Sequence, residues 1–336
     1  MMTALKAGII GLGVGESHIR GYEEHPDCSL LALCDIDESK REYLAYRYPE
    51  ARLYPCAEQL IDDPDVNVVS IASFDEDHFN QICGALTSGK HVFVEKPLCQ
   101  SQQEMSSIRR LLVDQPSLKL SSNLKLRTCP RFVEVREMIA NQAFGQIYYL
   151  EADYNYGRLS KLTDGWRGKQ KFYSVVYGGG IHVVDLLMWL TNDRVNKVSA
   201  FGNDISTSGS EFRHKDMVVS TLSFESGMVG KVAINFGCVS PHFHKLSVYG
   251  TNATFENRTH AGLIYKDRDK NIEPIIITSP YPGTEKHSLI PSFLDSIMGI
   301  GLAVVDERVV FDSMSVCLAI EQAVNDSKIV TVEYGD

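Results

Sequence analysis

Short apolar runs alternate with segments of helical periodicity along the first hundred residues. The apolar runs predict four strands, at residues 6–10, 29–35, 66–73 and 91–95. Between the last two, Phe79, Ile82 and Leu86 recur on one face of a helix, which Gly89 is placed to end. Strands that are apolar at successive positions need cover on both faces, so this repeat predicts a parallel sheet with helices on both sides.

The pattern changes in the second half of the chain. Residues 146–156 alternate between apolar and polar side chains, with Leu150, Ala152 and Tyr154 on one face, which is typical of a half-exposed strand. More strand-like segments follow, joined by turns that carry Gly or Asn, and one apolar helix at residues 180–190 interrupts them. These features predict an α+β domain with an open, mainly antiparallel sheet.

Length and pattern together predict two domains, because 336 residues exceed what one hydrophobic core usually serves. We place an α/β domain at residues 1–122 and the open-sheet domain at residues 123–336. A late helix near residues 312–326 is expected to pack back against the body.

Composition narrows the classes of partner. The formal net charge of −10 disfavours nucleic acid and anionic membranes, since the overall field repels polyanions. No segment is apolar over the length that a bilayer requires. The N-terminus lacks the long apolar core and cleavage site of a signal peptide, so we expect a cytoplasmic protein. The eight cysteines are scattered without a C-x-x-C pair and predict reduced thiols rather than a metal site.

A glycine-rich turn follows the first predicted strand. Gly11, Gly13 and Gly15 stand at alternate positions, although the usual third small residue of a dinucleotide-binding loop would fall at Glu16. Alone, this turn is equally consistent with an ordinary strand-to-helix connection. Asp35 changes that balance, because it ends the second strand where a carboxylate accepts hydrogen bonds from the ribose of NAD and repels the 2′-phosphate of NADP. We therefore expect NAD as the cofactor.

The segment "GKHVFVEKPLCQ" carries a family resemblance. With the glycine loop, "SIASFDEDH", "NLKLR" and "GGGIHVVDLLMWL" in the same order, the chain resembles the glucose-fructose oxidoreductase, inositol dehydrogenase and MocA family. The resemblance implies an N-terminal Rossmann domain that binds NAD(P) and a C-terminal domain that binds substrate. We also expect a homo-oligomer, either a dimer or a tetramer.

The resemblance implies roles for residues around the fourth strand. Lys96 matches the catalytic lysine, and Pro97 matches a proline whose cis peptide turns that lysine toward the nicotinamide. Lys96 also lies just past the carboxyl end of a strand, where ligands of open α/β sheets bind; the alternative is a solvated loop lysine paired with Glu95. The other implied cofactor residues are Ser73, Phe74, His78, Glu95 and Asn123. His78 begins a predicted helix, so a structural role is an alternative for it.

A second set of implied residues lies on the apolar helix. His182 matches the active-site histidine, and Asp185, three residues later, is predicted to orient its imidazole. The alternative is a core histidine, because apolar residues surround it. Many family dehydrogenases place an aspartate four residues before this histidine, and this chain has Gly178 there.

The loop at residues 156–172 is basic in an otherwise acidic chain. One interpretation is a solvated surface loop; the other is a clamp for a phosphate or carboxylate, with Trp166 as a stacking platform. Its cations are Arg158, Lys161, Arg167, Lys169 and Lys171. Arg127 and His242 are further candidates for contact with substrate. His242 and His244 have no carboxylate or cysteine at ligand spacing, so we expect no metal.

These features predict an NAD-dependent oxidoreductase that transfers a hydride between nicotinamide and a secondary alcohol or ketone of a sugar, sugar acid or nucleotide sugar. Lys96 and His182 favour an enzyme. A non-catalytic, NAD-binding sensor with the same fold is the alternative, and the glycine at position 178 leaves it open.

Overall fold

The computed structural model describes residues 4–335 and divides them into two compact units. The first unit contains residues 4–125 and 285–311, and the second contains residues 126–284 and 312–335. The first predicted boundary is therefore displaced by three residues. The prediction of a continuous second domain is wrong for residues 285–311, which pack with the first unit because Ile290 and His287 fill the space beside Gly21.

The first unit contains a six-stranded sheet in the order β3-β2-β1-β4-β5-β6, and all of its strands are parallel. Its strands are β1 (Leu5–Ile10), β2 (Cys28–Cys34), β3 (Arg52–Tyr54), β4 (Val68–Ile71), β5 (His91–Val94) and β6 (Leu120–Ser122). Every residue of β4 is buried, as the continuous apolar run predicts. The order reverses between β1 and β4, and ligands of doubly wound sheets bind at this position, outside the carboxyl ends of the strands.

The second unit contains a nine-stranded sheet in the order β14-β13-β12-β11-β7-β10-β9-β8-β15. Only β7 and β10 are parallel neighbours among its described strands, and the other pairs are antiparallel. Its strands are β7 (Ile147–Asn155), β8 (Val195–Asn203), β9 (Met217–Phe224), β10 (Val229–Asn235), β11 (Phe243–Gly250), β12 (Thr254–Asn257), β13 (Gly262–Tyr265), β14 (Ile275–Ile277) and β15 (Val330–Thr331). The predicted fold class of both domains is thus confirmed.

Ten α-helices accompany these sheets in the described chain. They are α1 (Glu16–Glu23), α2 (Glu38–Arg47), α3 (Ala57–Ile61), α4 (His78–Thr87), α5 (Gln102–Asp114), α6 (Pro130–Ala140), α7 (Ser160–Thr163), α8 (Ile181–Thr191), α9 (Ile290–Met298) and α10 (Glu307–Asp326). No helix among residues 4–335 is long and apolar enough to cross a membrane.

Local sequence explains several helix ends. Ser101 caps α5 by accepting from the backbone N–H of Glu104, whose side chain accepts from the N–H of Gln100 in return. Gly89 follows α4 with a φ of +73°, which a residue with a side chain adopts at a cost. Ser101 thus fixes the start of α5 after the carboxyl end of β5, and Gly89 fixes the turn that leads into the amino end of β5.

Candidate functional site

The glycine loop is shaped by close backbone approach. A Cβ on Gly11, whose φ is +85°, would lie 2.4 Å from the carbonyl oxygen of Ala72. A Cβ on Gly15 would lie 2.4 Å from the carbonyl oxygen of Gly11, so this glycine lets α1 pack close to the loop. By contrast, the nearest atom to a Cβ on Gly13 is the Nζ of Lys40, at 3.9 Å. The loop therefore has an open centre between two closed ends, which fits a dinucleotide pyrophosphate.

Asp35 is buried at the end of β2 and holds the loop. Its Oδ2 accepts from the N–H of Leu12 at 2.7 Å, and its Oδ1 accepts from the N–H of Asp37 at 2.9 Å. The ammonium of Lys40 also reaches Oδ2, at 3.3 Å. The first turn of α2 thus brings a cation, Lys40, next to the carboxylate that is expected to repel a 2′-phosphate.

A buried polar cluster lies at the carboxyl ends of β4, β5 and β6. His18, on α1, is fully buried and pairs through Nδ1 with the Oγ of Ser70 at 2.8 Å and through Nε2 with the Oε1 of Glu95 at 3.2 Å. The side-chain amide of Asn123 donates to the same Oε1 at 2.8 Å and to the carbonyl oxygen of Lys286 at 2.9 Å. Glu95 and Asn123 were expected here, whereas His18 and Ser70 were not.

Lysines surround this cluster. Burial opposes ionisation of Glu95, but His18, Lys96 and Asn123 outweigh it and hold the pKa of this carboxyl well below its usual range. Burial lowers the pKa of Lys125; Glu95 opposes this effect, and Lys286 and Lys96 add to it. The carboxylate is thus kept charged, and the Lys96–Pro97 peptide bond beside it is cis, as the resemblance implies.

The residues predicted beside the cofactor in the loop before α4 have local partners. The ring of His78 is buried, and its Nδ1 lies 2.6 Å from the carbonyl oxygen of Pro97, which ties α4 to the segment that carries Lys96. The hydroxyl of Ser73 donates to the Oε1 of Gln81 at 2.7 Å. Phe74 is half-buried in the turn that leads into α4. His78 therefore has a structural contact next to the predicted site, and its role beside the cofactor stays a prediction.

In the second unit, His182 faces an aromatic wall. Its ring is nearly parallel to that of Tyr154, with centroids 6.2 Å apart and an interplanar angle of 24°. The rings of His242 and His244 meet the same tyrosine edge-on, at 5.1 and 5.3 Å. His182 therefore lies in an aromatic cluster rather than among aliphatic side chains alone.

Asp185 does not orient His182, which corrects the prediction. Its carboxylate accepts hydrogen bonds from Nε and Nη2 of Arg127 at 2.7–3.1 Å and from the hydroxyl of Ser313 at 3.0 Å. Asp185 and Arg127 are both largely buried, with side-chain exposures of 1% and 9%. The physical reason is competition: Arg127, with two nitrogens, and Ser313, on α10, supply the donors that this carboxylate accepts. Two nitrogens of Arg127 belong to this pair, and its contact with substrate stays a prediction.

Gly178 lies in a π-helical segment, Val176–Gly180, that leads into α8. A Cβ at this position would lie 2.1 Å from the hydroxyl oxygen of Tyr173, so the phenol occupies the space that a side chain would need. The Nε of Arg167 donates to this hydroxyl at 3.0 Å. Many family dehydrogenases have an aspartate at this position, one turn before His182. In this chain the phenol of Tyr173, bound by Arg167, occupies that space instead.

The basic loop contains two kinds of cation. Arg158 is exposed and lies over the ring of Tyr156 at 5.3 Å, and Arg167 is half-buried over the ring of Trp166 at 4.6 Å. The three lysines are exposed, which agrees with a solvated surface for them.

The Nδ1 of His244 lies 2.7 Å from the hydroxyl oxygen of Tyr281. Residues 4–335 contain no group of three or more His, Cys, Asp or Glu side chains that could hold a metal ion.

The structure thus brings together two sets of predicted residues, each within one unit. The first joins the glycine loop, Asp35, Glu95, Lys96 and Asn123; the second joins His182 and His242. Sequence reasoning missed His18, Lys40, Lys125, Tyr154 and Tyr173. A histidine three residues beyond the glycine loop was a visible signal for His18, whereas the others come from segments that only the fold brings close.

Comparison with known proteins supports this division of the chain. Residues 5–121 match the model "Oxidoreductase family, NAD-binding Rossmann fold", and residues 132–256 match "GFO/IDH/MocA C-terminal domain". Inositol 2-dehydrogenase of Salmonella typhimurium is 26% identical over 235 residues, which are 69% of this chain and 68% of that protein. Myo-inositol 2-dehydrogenase of Thermotoga maritima is 23% identical over 74% of this chain and 73% of that protein.

Two solved structures share the fold over nearly the whole length. Levoglucosan dehydrogenase in complex with NADH is 18% identical with a TM-score of 0.85, and scyllo-inositol dehydrogenase from Lactobacillus casei with NAD(H) and scyllo-inositol is 17% identical with a TM-score of 0.79. Both alignments cover 98% of this chain and 99% of the other. With the cofactor loop and the open sheet matching adjacent family models, this chain belongs to the GFO/IDH/MocA family of oxidoreductases, and its first unit is an NAD-binding Rossmann domain.

Proposed function

We propose that this protein is an NAD-dependent dehydrogenase that exchanges a hydride between nicotinamide and a secondary alcohol or ketone of a sugar-like substrate. One observation carries the proposal: a charged carboxylate, Glu95, is built into the carboxyl edge of the Rossmann sheet with Lys96 beside it. A buried charge is costly unless function or pairing maintains it. The distant relatives named as inositol and levoglucosan dehydrogenases act in the same chemical class.

The residues of the first unit fit a dinucleotide. The open centre of the glycine loop at Gly13 and the carboxylate of Asp35 would hold the pyrophosphate and the adenosine ribose. When bound, the nicotinamide supplies the hydride acceptor or donor. We propose NAD as the preferred cofactor, because Asp35 still carries its negative charge, with Lys40 reducing the discrimination against NADP.

Chemistry on the substrate requires two further groups. Oxidation of a carbinol removes the hydroxyl proton, and we assign this step to the imidazole of His182, because the unperturbed pKa of histidine is about 6.5. We assign to the ammonium of Lys96 the stabilisation of negative charge on a substrate oxygen, an effect that strengthens where water is excluded. Because Asp185 is paired with Arg127, His182 carries the proton without that carboxylate.

The substrate proposed is a polyhydroxylated ring, with an anionic group as the finer expectation. Tyr156 and His242 are half-buried and offer rings of the kind on which sugars stack, and Arg158 lies over Tyr156 with its side chain exposed. Arg167 already donates to Tyr173, so Arg158 is the stronger candidate for contact with a carboxylate or phosphate.

A non-catalytic NAD-binding sensor is the second candidate. The observation in its favour is that position 178 has no room for an acid, because Tyr173 fills the space. The two candidates differ in one respect that can be measured: an enzyme changes the redox state of added NAD when the right polyol is present, and a sensor binds both without turnover.

The test uses Lys96→Met and His182→Ala with a panel of inositols, anhydrosugars, sugar acids and nucleotide sugars. Each positioned acid–base group contributes about 10²–10⁴-fold to the rate. Each variant should therefore lose at least about a hundredfold in kcat, which is the lower end of that range. The Kd for NADH, followed by nicotinamide fluorescence, should remain within about threefold, a shift worth less than about 1 kcal/mol.

Lys328→Met and His260→Ala are matched controls. Both native side chains are exposed, and the two substitutions remove the same functional groups, an ammonium and an imidazole, at other places in the chain. If the controls and the test variants turned over the identified substrate equally, the assignment of Lys96 and His182 would be wrong. If wild type bound NADH but oxidised no member of the panel, the sensor would replace the enzyme.

A further inference from the structure

We propose that His18 is a positioning residue that couples the helix after the glycine loop to the carboxylate beside Lys96. The inference rests on the proposed function for its kinetic consequence, but the coupling itself is a property of the first unit alone. Neither the sequence motifs nor the family resemblance assigned His18 a role.

The hydrogen bonds of His18 define its state. A carboxylate can only accept, so the contact between Nε2 and the Oε1 of Glu95 places a proton on Nε2. The hydroxyl of Ser70 can either donate or accept a hydrogen bond, so it can pair with Nδ1 whether or not that nitrogen carries a proton. The edge of the ring also packs on Phe93, with centroids 5.5 Å apart and an interplanar angle of 86°. The imidazole is therefore fixed at both nitrogens and at its edge.

Glu95 is held from two sides as a result. His18 comes from α1, and Asn123 comes from the end of β6, where its own backbone N–H donates to the carbonyl oxygen of Val94 at 3.2 Å. Both side chains donate to Oε1, which leaves Oε2 as the second acceptor of the carboxylate. The backbone of Glu95 is fixed too, because its N–H donates to the carbonyl oxygen of Ile71 at 2.7 Å. A carboxylate fixed in this way holds its charge at one place beside Lys96.

Several charged groups of the first unit lie around this point. Glu95 faces His18 and Lys96, and Lys125 interacts with both Glu95 and Lys96. The further groups near Lys125 are Lys286 and Glu285. Glu95 is thus surrounded mainly by cations, and losing its orientation would change the field at Lys96.

The position of His18 gives the cluster a link to the cofactor loop. Gly15 is the N-cap of α1, and His18 follows within the first turn. A ligand that orders the start of this helix therefore orders the donor to Glu95 as well. Binding at the loop and the placement of Lys96 are coupled through one imidazole.

The competing explanation is that His18 only stabilises the fold, and the chain offers a matched control. His25, just beyond the other end of α1, is also buried and contacts a carboxylate, with Nε2 3.3 Å from the Oδ1 of Asp295. His25→Leu removes the same kind of pair from the same unit without touching Glu95 or Lys96. A purely structural role predicts the same behaviour for both leucine variants.

The experiment compares His18→Leu, His18→Gln and His25→Leu. Displacement of a catalytic group by about 1 Å can cost about a hundredfold, so His18→Leu should lower kcat tenfold to about a hundredfold while the Kd for NADH stays within about threefold. His18→Gln keeps a donor for Glu95 and should recover most of the loss. The acid limb of the kcat/KM profile should move to higher pH in His18→Leu, because Glu95 loses a group that favours its charge.

A second measurement does not need turnover. Acetic anhydride labelling of the cofactor-free protein, read by mass spectrometry, should modify Lys96 several-fold faster in His18→Leu than in wild type, with Lys328 as the internal reference. This measurement decides the inference even if no polyol proves to be a substrate, so failure of the proposed function is distinguishable. If His18→Leu does not fold, Ser70→Ala, which removes one partner of the imidazole, should show a smaller change in the same direction.

Equal losses of kcat in His18→Leu and His25→Leu would overturn the inference. So would unchanged labelling of Lys96 in a folded His18→Leu or Ser70→Ala variant. Rescue by glutamine, together with labelling that changes at Lys96 and not at Lys328, would support it.

Discussion

Glu95 and Asp185 are both largely buried carboxylates beside cations, one in each unit, but their hydrogen bonds differ. Asp185 receives a guanidinium and a hydroxyl, so both of its oxygens are occupied by Arg127 and Ser313. Glu95 accepts hydrogen bonds from His18 and Asn123 on the same oxygen, Oε1, and the positive charge of Lys96 lies nearby. The carboxylate of Asp185 therefore joins parts of the fold, whereas that of Glu95 holds its negative charge next to Lys96.

The largest expected effect comes from breaking the pair of Asp185 and Arg127. Removing one partner of a buried ion pair leaves an uncompensated charge and costs about 3–5 kcal/mol. Asp185→Asn should therefore lower the free energy of unfolding in urea by that amount. Its kcat per folded molecule should stay within about tenfold, equivalent to about 1.4 kcal/mol.

Arg127→Met combined with Asp185→Asn provides the control, because the double variant removes both charges and should recover part of the loss. A fall in kcat that matches that of His182→Ala, in a variant of unchanged stability, would contradict this account and return Asp185 to the active site.

An intermediate effect is expected from acid. Because the pKa of Glu95 is lowered in the folded protein, its carboxylate contributes stability above the ordinary glutamate pKa, and that contribution is lost as pH falls below it. The free energy of unfolding should therefore drop more steeply below about pH 4.5 in wild type than in Glu95→Gln, by at least about 1.4 kcal/mol, the value of one pKa unit. Parallel denaturation curves from pH 7 to pH 3 would show that Glu95 is not held charged by its neighbours.

The smallest effect concerns a third buried carboxylate, Asp35, which has a half-exposed lysine attached. Wild type should bind NADH more tightly than NADPH, and Lys40→Ala should widen that ratio about threefold to fivefold, within the range of about 1 kcal/mol for an exposed ion pair. Asp35→Ala should narrow or invert the ratio. Lys328→Ala is the control cation. Tighter binding of NADPH by wild type would mean that Lys40, rather than Asp35, dominates this corner of the site.

Much of the first unit was readable from sequence, because buried parallel strands are continuous apolar runs. The strands missed, β3 and β6, have three residues each and too little pattern to register. The sequence identified the glycine loop. It could not tell that Gly11 packs against Ala72 while Gly13 has open space as far as Lys40, because Ala72 and Lys40 are distant from the loop in the chain.

Side-chain partners were the part that sequence could not supply. The prediction for Asp185 used the histidine three residues away, yet the competing donors, Arg127 and Ser313, are 58 and 128 residues distant. Local spacing gives the candidates for a hydrogen bond, and the fold decides among them by distance and by the strength of a bidentate arginine. The same reasoning explains why His18 went unremarked until Glu95 was placed beside it.

The phenol of Tyr173 in the space beside Gly178 restricts the order in which this chain could change. With the hydroxyl only 2.1 Å from a Cβ at that position, even alanine would collide there while the tyrosine remains. An aspartate could enter only after the tyrosine had first been replaced by something smaller, and that first step would also release Arg167. The route between the two arrangements therefore passes through an intermediate sequence with neither the acid nor the phenol.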